Sequence, residues 1–401
     1  MSIKQLAAQA KDLEADLIAL RRELHQIPEF GLSLPKTLAR VKAALAGLGE
    51  LHVDETISCA SLVIRGAKPG PTVLLRADMD ALAVVEDTGL PFASTNGYMH
   101  ACGHDLHMAI GVGAARLLHA NRDQLQGDVV FFFQSGEEGH GGADLMLERG
   151  MHLVGGSKPI GAYGIHVFSV DRAGLFASRP GALMASAGDM LVTFRGKASH
   201  GSMPWLGKDP ITPMIQAIAG IQPLVTKSFT AFDQVIVNVG WIKAGDDHTT
   251  NVVPQVAKFG ATMRTFSHEH FGRIRVELER LMKATADAYG VESVVEFTPA
   301  SQVLINDKKA VARAERLVSE AFGSERYAHL ENPIPGGEDF ASLVKEIPGA
   351  FIFLGAGSST IPKEKWEANH SNKAVFDESV IADGAALLAG LAIDHLNEAA
   401  D

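Results

Sequence analysis

Residues 128–133 read Asp-Val-Val-Phe-Phe-Phe and follow Gly127. A strand with apolar residues at consecutive positions has no wet face, so it must be covered on both sides. The surrounding sequence supplies the cover. Strands are expected at 61–65, 72–76, 160–167 and 350–354, where short aliphatic runs lie between Gly and Pro. Helical spacing of apolar residues marks 4–26, 35–48, 105–120, 308–323 and a last helix from 378. The alternation predicts an α/β class, a mixed sheet sandwiched by helices.

The middle of the chain has a different order. Strands are expected at 190–194, 235–242, 256–265 and 291–297, with helices at 209–228 and 268–289. The order β-α-β-β-α-β is that of the ferredoxin-like motif. It predicts a small domain at 187–299 inserted between two parts of a larger one, 1–186 and 300–401.

Composition narrows the function. The chain has 401 residues and is 46% hydrophobic and 21% charged, which excludes disorder and coiled coil. Its net charge of −11 makes it a poor partner for a phosphate backbone, so no nucleic acid is expected. No apolar run is expected to reach the roughly 20 residues needed to span a bilayer, and 1–24 is a charged amphipathic pattern. The expectation is a soluble cytoplasmic protein with no membrane partner. Two cysteines, Cys59 and Cys102, cannot make a disulfide scaffold.

The chemistry concentrates in four loops. His100-Ala-Cys-Gly-His-Asp-Leu-His107 places imidazoles and a thiol, the usual ligands of zinc-like metals, in a turn entering a helix. Gln134-Ser-Gly-Glu-Glu-Gly-His140 puts two carboxylates in a Gly-rich loop after the buried strand. His166 ends the next expected strand, and His370 lies in a loop before the last helix. In a parallel sheet such loops converge on one edge. Ligands drawn from distant loops suit a catalytic metal site better than a local, closed structural one. The chain has no G-x-x-x-x-G-K-[ST], H-E-x-x-H or G-x-S-x-G motif.

These residues, with several further stretches, resemble the hippurate hydrolase and indole-acetyl-amino-acid hydrolase group. That group lies within the co-catalytic metallo-aminoacylase and carboxypeptidase superfamily. The matching stretches are Leu20-Arg-Arg-Glu-Leu-His25, Leu75-Arg-Ala-Asp-Met-Asp-Ala-Leu82, His100-Ala-Cys-Gly-His-Asp105 and Glu137-Glu-Gly139. They continue with Gly196-Lys-Ala-Ser-His200, Asn251-Val-Val-Pro254, Gly337-Glu-Asp-Phe340 and His370-Ser371.

The resemblance implies an α/β catalytic domain with an inserted lid that also forms a homodimer or a higher homo-oligomer. It implies two divalent ions, zinc or manganese, held by Cys102, His104, Glu138, His166 and His370. Glu137 is then the general base for a metal-activated water. His200 on the lid stabilises the oxyanion, and Asn251 and Arg264 bind substrate. The implied reaction splits N-acyl-amino acids, hippurate-like or N-acetyl, into a carboxylic acid and a free amino acid. A dipeptidase or carboxypeptidase would use the same site, and a non-catalytic relative would have no need of Glu137. Arg76 stands where the wider superfamily has a His ligand, so that metal position does not carry over. Departures at Ala83, Ser135 and Trp205 fall on the pocket rim.

Overall fold

A computed structural model describes residues 1–298 and 301–399. The chain divides into two units. The first contains Met1–Leu183, Ile305–Asn332 and Asp339–Asp401; the second contains Met184–Leu304 and Pro333–Glu338. The sequence boundary at 299/300 lies outside the described residues.

The first unit is built on an eight-stranded mixed sheet. Its order is Glu50–Asp54, Cys59–Ile64, Gln126–Gln134, Lys68–Asp78, Gly161–Arg172, Gly349–Gly357, Phe176–Ser178, Tyr327–His329. The central strands Gln126–Gln134, Lys68–Asp78, Gly161–Arg172 and Gly349–Gly357 are mutually parallel. The pleat sends alternate residues to opposite faces. Val129, Phe131 and Phe133 join one core with Val73, Leu75 and Ala77, together with the helices Ile3–His25, His104–Ala120 and Val380–Glu398. Val130 and Phe132 point the other way and are equally buried. Over strand Gly349–Gly357, Phe340 of the helix Phe340–Glu346 stacks on Phe351 with ring centroids 5.0 Å apart. Each buried Phe contributes about 1.5–3 kcal/mol, which is why the run at 128–133 fixes a layered fold.

Against the expectation of no spanning run, one helix among the described residues is long and apolar enough to cross a membrane. Val380–Glu398 has a mean hydropathy of 1.3 over 18 residues. Within the fold it is a core helix: 78% of that stretch is buried, against the helices Ile3–His25 and His104–Ala120.

The second unit has a four-stranded antiparallel sheet in the order Val235–Ala244, Val256–Thr265, Ser186–Arg195, Glu292–Phe297. Helices Ile211–Ser228 and His268–Tyr289 pack side by side over it. Their buried Met214, Ile221, Ile274, Leu278 and Met282 meet Met190, Val192, Phe194 and Phe259 of the strands. The central first and third strands and the β-α-β-β-α-β order are ferredoxin-like.

Candidate metal centre

Parallel strands in the first unit end in the loops that carry the ligand-type residues. Strand Lys68–Asp78 leads to Asp80, and Gln126–Gln134 leads to Glu137 and Glu138. His166 lies within Gly161–Arg172, paired with Phe353. Cys102 and His104 straddle Gly103, which has φ +87°. A Cβ on Gly103 would lie 2.4 Å from Val167, so only glycine fits this turn. His370 also has a positive φ, 73°, unusual for a side chain-bearing residue and held by its N–H donating to the Ala101 carbonyl at 2.9 Å.

The donor atoms converge. Those of Cys102, His104 and His166 lie within 4.8 Å of one another, as do those of Cys102, Glu138 and His370, and those of His104, Glu137 and Glu138. The Cys102 Sγ is 3.3 Å from His166 Nε2, and Glu138 Oε1 is 3.4 Å from His370 Nε2 and 4.0 Å from His104 Nε2.

Hydrogen bonds at the far ring nitrogens aim the imidazoles. His104 Nδ1 donates to the Asp80 carbonyl at 2.8 Å, and His166 Nδ1 donates to the Val167 carbonyl at 2.9 Å. Both therefore present Nε2 to the cluster. His107 differs. Its Nδ1 donates to Asp78 Oδ1 at 2.5 Å, and its Nε2 accepts the Val167 N–H at 2.8 Å. No lone pair is left for a metal, so His107 is a brace between two strands.

The residues fit a cation. His104 Nε2 and Glu138 Oε1 are buried with no hydrogen-bond partner. Unsatisfied buried atoms of this kind are costly unless something binds them. Thiolate, imidazole and carboxylate together suit zinc or a similar divalent ion. The Cys102 sulfur and the Glu138 carboxylate push the His370 imidazole up to about 10. Burial holds His166 well below its usual range, in the neutral form that ligates. Burial would lower His104 too, but Asp78, Asp80 and Cys102 outweigh it and raise it. A cation held by His104 and His370 would have to displace their protons.

Two buried networks support the cluster. Arg76 Nη1 lies 2.5 Å from Asp78 Oδ2, and Asp78 lies 3.5 Å from His104 Nε2. Burial would raise the Asp78 pKa, but Arg76, His104 and His107 hold it well below the usual carboxylate range. Arg76 thus acts as a counter-ion in a place where it cannot ligate. Behind the 100–107 turn, Asp105 forms an ion pair with Arg21 at 2.6 Å and accepts from His25 at 2.7 Å. That gives the Leu20–His25 stretch a physical role, fixing the start of the helix that carries His104.

Sequence reasoning gave Asn369 no part. Its amide donates to the Val167 carbonyl at 2.9 Å and the Cys102 carbonyl at 3.2 Å, tying two ligand loops together. Its place beside His370 was the only signal.

His200, Asn251 and Arg264 belong to the second unit, and the six residues of the cluster to the first. Within the second unit, His200 pairs with Val252, and the Gly201 N–H donates to the Asn251 carbonyl at 2.6 Å. Both side chains are on exposed residues. Arg264 is half-buried and bonds within its own strand, to Thr262 Oγ1 at 2.5 Å and the Met263 carbonyl at 2.9 Å. Among the described residues no carboxylate pairs with it.

Comparison with known proteins agrees with this geometry. The model of peptidase family M20/M25/M40 matches residues 74–394. The chain belongs to this family. M20 relatives include thermostable carboxypeptidase 1 of Saccharolobus solfataricus, 32% identical over 403 residues and 99% of each chain. The N-acetyldiaminopimelate deacetylase of Listeria welshimeri is 33% identical over 348 residues, 86% of this chain and 91% of the relative. Among solved structures, the Bacillus subtilis YXEP protein, described as a dinuclear metal-binding M20 peptidase, matches with a TM-score of 0.81. It is 30% identical and covers 96% of this chain and 99% of its own. As an M20 member this chain is a metal-binding hydrolase of amide bonds.

Proposed function

We propose that this M20 hydrolase cleaves the amide bond of N-acyl-amino acids, hippurate-like or N-acetyl, to a carboxylic acid and a free amino acid. The observation that carries this reading is Glu137 placed with His104 Nε2 and Glu138 Oε1, two buried atoms that make no hydrogen bond. In it Cys102, His104, Glu138, His166 and His370 hold two divalent ions, zinc or manganese. Bound ions supply a water of lowered pKa and a Lewis acid for the amide carbonyl. Glu137 takes the proton from the attacking water and returns it to the leaving nitrogen. Arg264, free of a carboxylate partner, pairs with the substrate carboxylate, for which its planar fork is suited. Asn251 contributes a further polar contact, and His200 stabilises the oxyanion.

A second reading has its own support. The carboxypeptidase relative is similar along 99% of its length, so peptide cleavage at a free C-terminus uses the same machinery. The Listeria relative's name describes deacetylation of an N-acetylated amino acid, which favours the first reading. The discriminating assay supplies Mn²⁺ or Zn²⁺ and compares N-benzoylglycine and N-acetyl-amino acids with dipeptides and longer peptides. Release of amino acid from the N-acyl substrates is expected at a kcat/KM at least about tenfold above that for peptides, or about 1.4 kcal/mol of transition-state binding. The reverse ranking identifies a carboxypeptidase, and inactivity on both sets contradicts an enzyme of either kind.

The homodimer is proposed on the second unit. Its edge strand Val235–Ala244 leaves Ile236, Trp241 and Ile242 between 44% and 55% exposed. An unpaired edge with apolar side chains is a template for a second copy. Sedimentation of the intact chain is expected at twice its 42.6 kDa mass, falling to the monomer mass on Trp241→Glu. A monomeric wild type contradicts the dimer.

A further inference from the structure

The loop Ser135–Gly142 carries Glu137 and Glu138 and is gripped from two sides. On one side, Asp80 accepts the Glu137 N–H on Oδ1 at 3.0 Å and the Glu138 N–H on Oδ2 at 3.1 Å. On the other side stands Asp339, which is buried. Both Asp339 oxygens accept from Gln134 Nε2 at 2.7 Å, and Oδ2 also accepts the Ala143 N–H at 3.0 Å. Gln134 is the last residue before the loop and Ala143 the first after it. One carboxylate thus holds both ends. The ends are pinched so closely that a Cβ on Gly142 would lie 1.6 Å from the Ser135 carbonyl oxygen.

The charge of the Asp339 carboxylate is balanced locally. Arg76 Nη2 donates to Asp339 Oδ1 at 3.1 Å, and Arg76 Nε donates to Gln134 Oε1 at 3.0 Å. Arg76 also pairs with Asp78, which faces His104. The same guanidinium therefore connects the loop clamp to the imidazole side of the cluster. Asp339 is also the residue at which the chain re-enters the first unit after Pro333–Glu338.

We propose that Asp339 is a positioning residue that holds the Ser135–Gly142 loop closed so that Glu137 and Glu138 stay on the metal-donor cluster. The inference rests on the amide-hydrolase reading for its catalytic consequence, though not for its structural one. Hydrogen bonds that a carboxylate accepts from three donors are charge-assisted and stronger than those of a neutral amide. An Asn at 339 keeps the shape but turns an NH2 group toward donors, so at least one grip is lost and Arg76 loses a counter-charge. The loop then samples open states in which Glu138 leaves the cluster.

The test uses the full-length chain loaded with Zn²⁺, with Asp339→Asn as the main variant. Gln134→Met is the second, since it removes one loop end from the clamp without changing charge and serves if the first variant fails to fold. Hydrogen exchange is followed in peptides covering 135–143 and, as a control, 104–120. Zn²⁺ affinity is measured against a chromophoric chelator, and kcat and KM on the best N-acyl substrate. Exchange in 135–143 is expected to speed at least about tenfold, while the 104–120 helix keeps its protection. The weaker Zn²⁺ dissociation constant is expected to rise about 10–100-fold, the usual cost of losing an outer-sphere support. The kcat should fall with KM nearly unchanged. Wild-type exchange and Zn²⁺ affinity in folded variants overturn the proposal, as does a uniform rise in exchange that includes 104–120. A wild type inactive on every amide defeats the activity reading alone, because exchange and affinity still judge Asp339.

Discussion

Glu137→Gln is expected to keep its full metal content and lose kcat by about 10²–10⁴. The two halves of that result have separate causes. Asp80 holds the Glu137 and Glu138 backbone N–H groups, and these grips remain in the variant. Cys102, His104, Glu138, His166 and His370 keep their donor atoms, so the proposed metal set is untouched. Gln fills the same volume and still accepts a hydrogen bond, but it cannot take a proton at neutral pH. The loss should therefore fall on kcat, with KM within a few-fold of wild type, the signature of an interaction made in the transition state. Elemental analysis and steady-state kinetics on the same preparation check it. Near-normal turnover with full metal removes Glu137 from the role of general base.

Much of the fold was legible because the signals are local. The apolar run at 128–133 required cover on both faces, and the structure buries Val129, Phe131 and Phe133 in the helix-covered core on one and Val130 and Phe132 on the other. The six elements expected for the second unit carry clear periodicity and emerge in their expected order. Short strands did not announce themselves. Phe176–Ser178 and Tyr327–His329 have three residues each, too few to show a period. Their existence is decided by neighbours far away in sequence. The grouping of Pro333–Glu338 with the second unit is of the same kind, since Ala185 N–H reaches the Ile334 carbonyl across that gap at 3.1 Å.

At the site, residue types were readable and supports were not. Cys, His and Glu in loops after strands announce metal chemistry wherever they stand. The braces that aim them do not. Asp339 meets Gln134 across 205 positions and His25 meets Asp105 across 80, so no local pattern connects them. Resemblance marked Leu20–His25 and Gly337–Phe340 as motif stretches without giving either a task. The geometry gives the first a grip on the His104 helix. His107 shows the converse: its spacing suits a ligand, but both ring nitrogens are already engaged.

The second large effect concerns the metal itself. Cys102 Sγ belongs to two of the converging donor groups, one with His104 and His166 and one with Glu138 and His370. In the proposed site the Cys102 thiolate would hold metal together with both groups, and Cys102→Ala should weaken binding at both. The most direct measurement strips the intact chain with a chelator and titrates it with Zn²⁺ or Mn²⁺. Bound metal and amide turnover are followed together, beside Cys102→Ala treated the same way. Turnover is expected to be absent in the stripped protein and to level off at two equivalents per chain, while Cys102→Ala retains less than two and stays inactive. Full turnover without metal, or a fully loaded and active Cys102→Ala, would contradict the account.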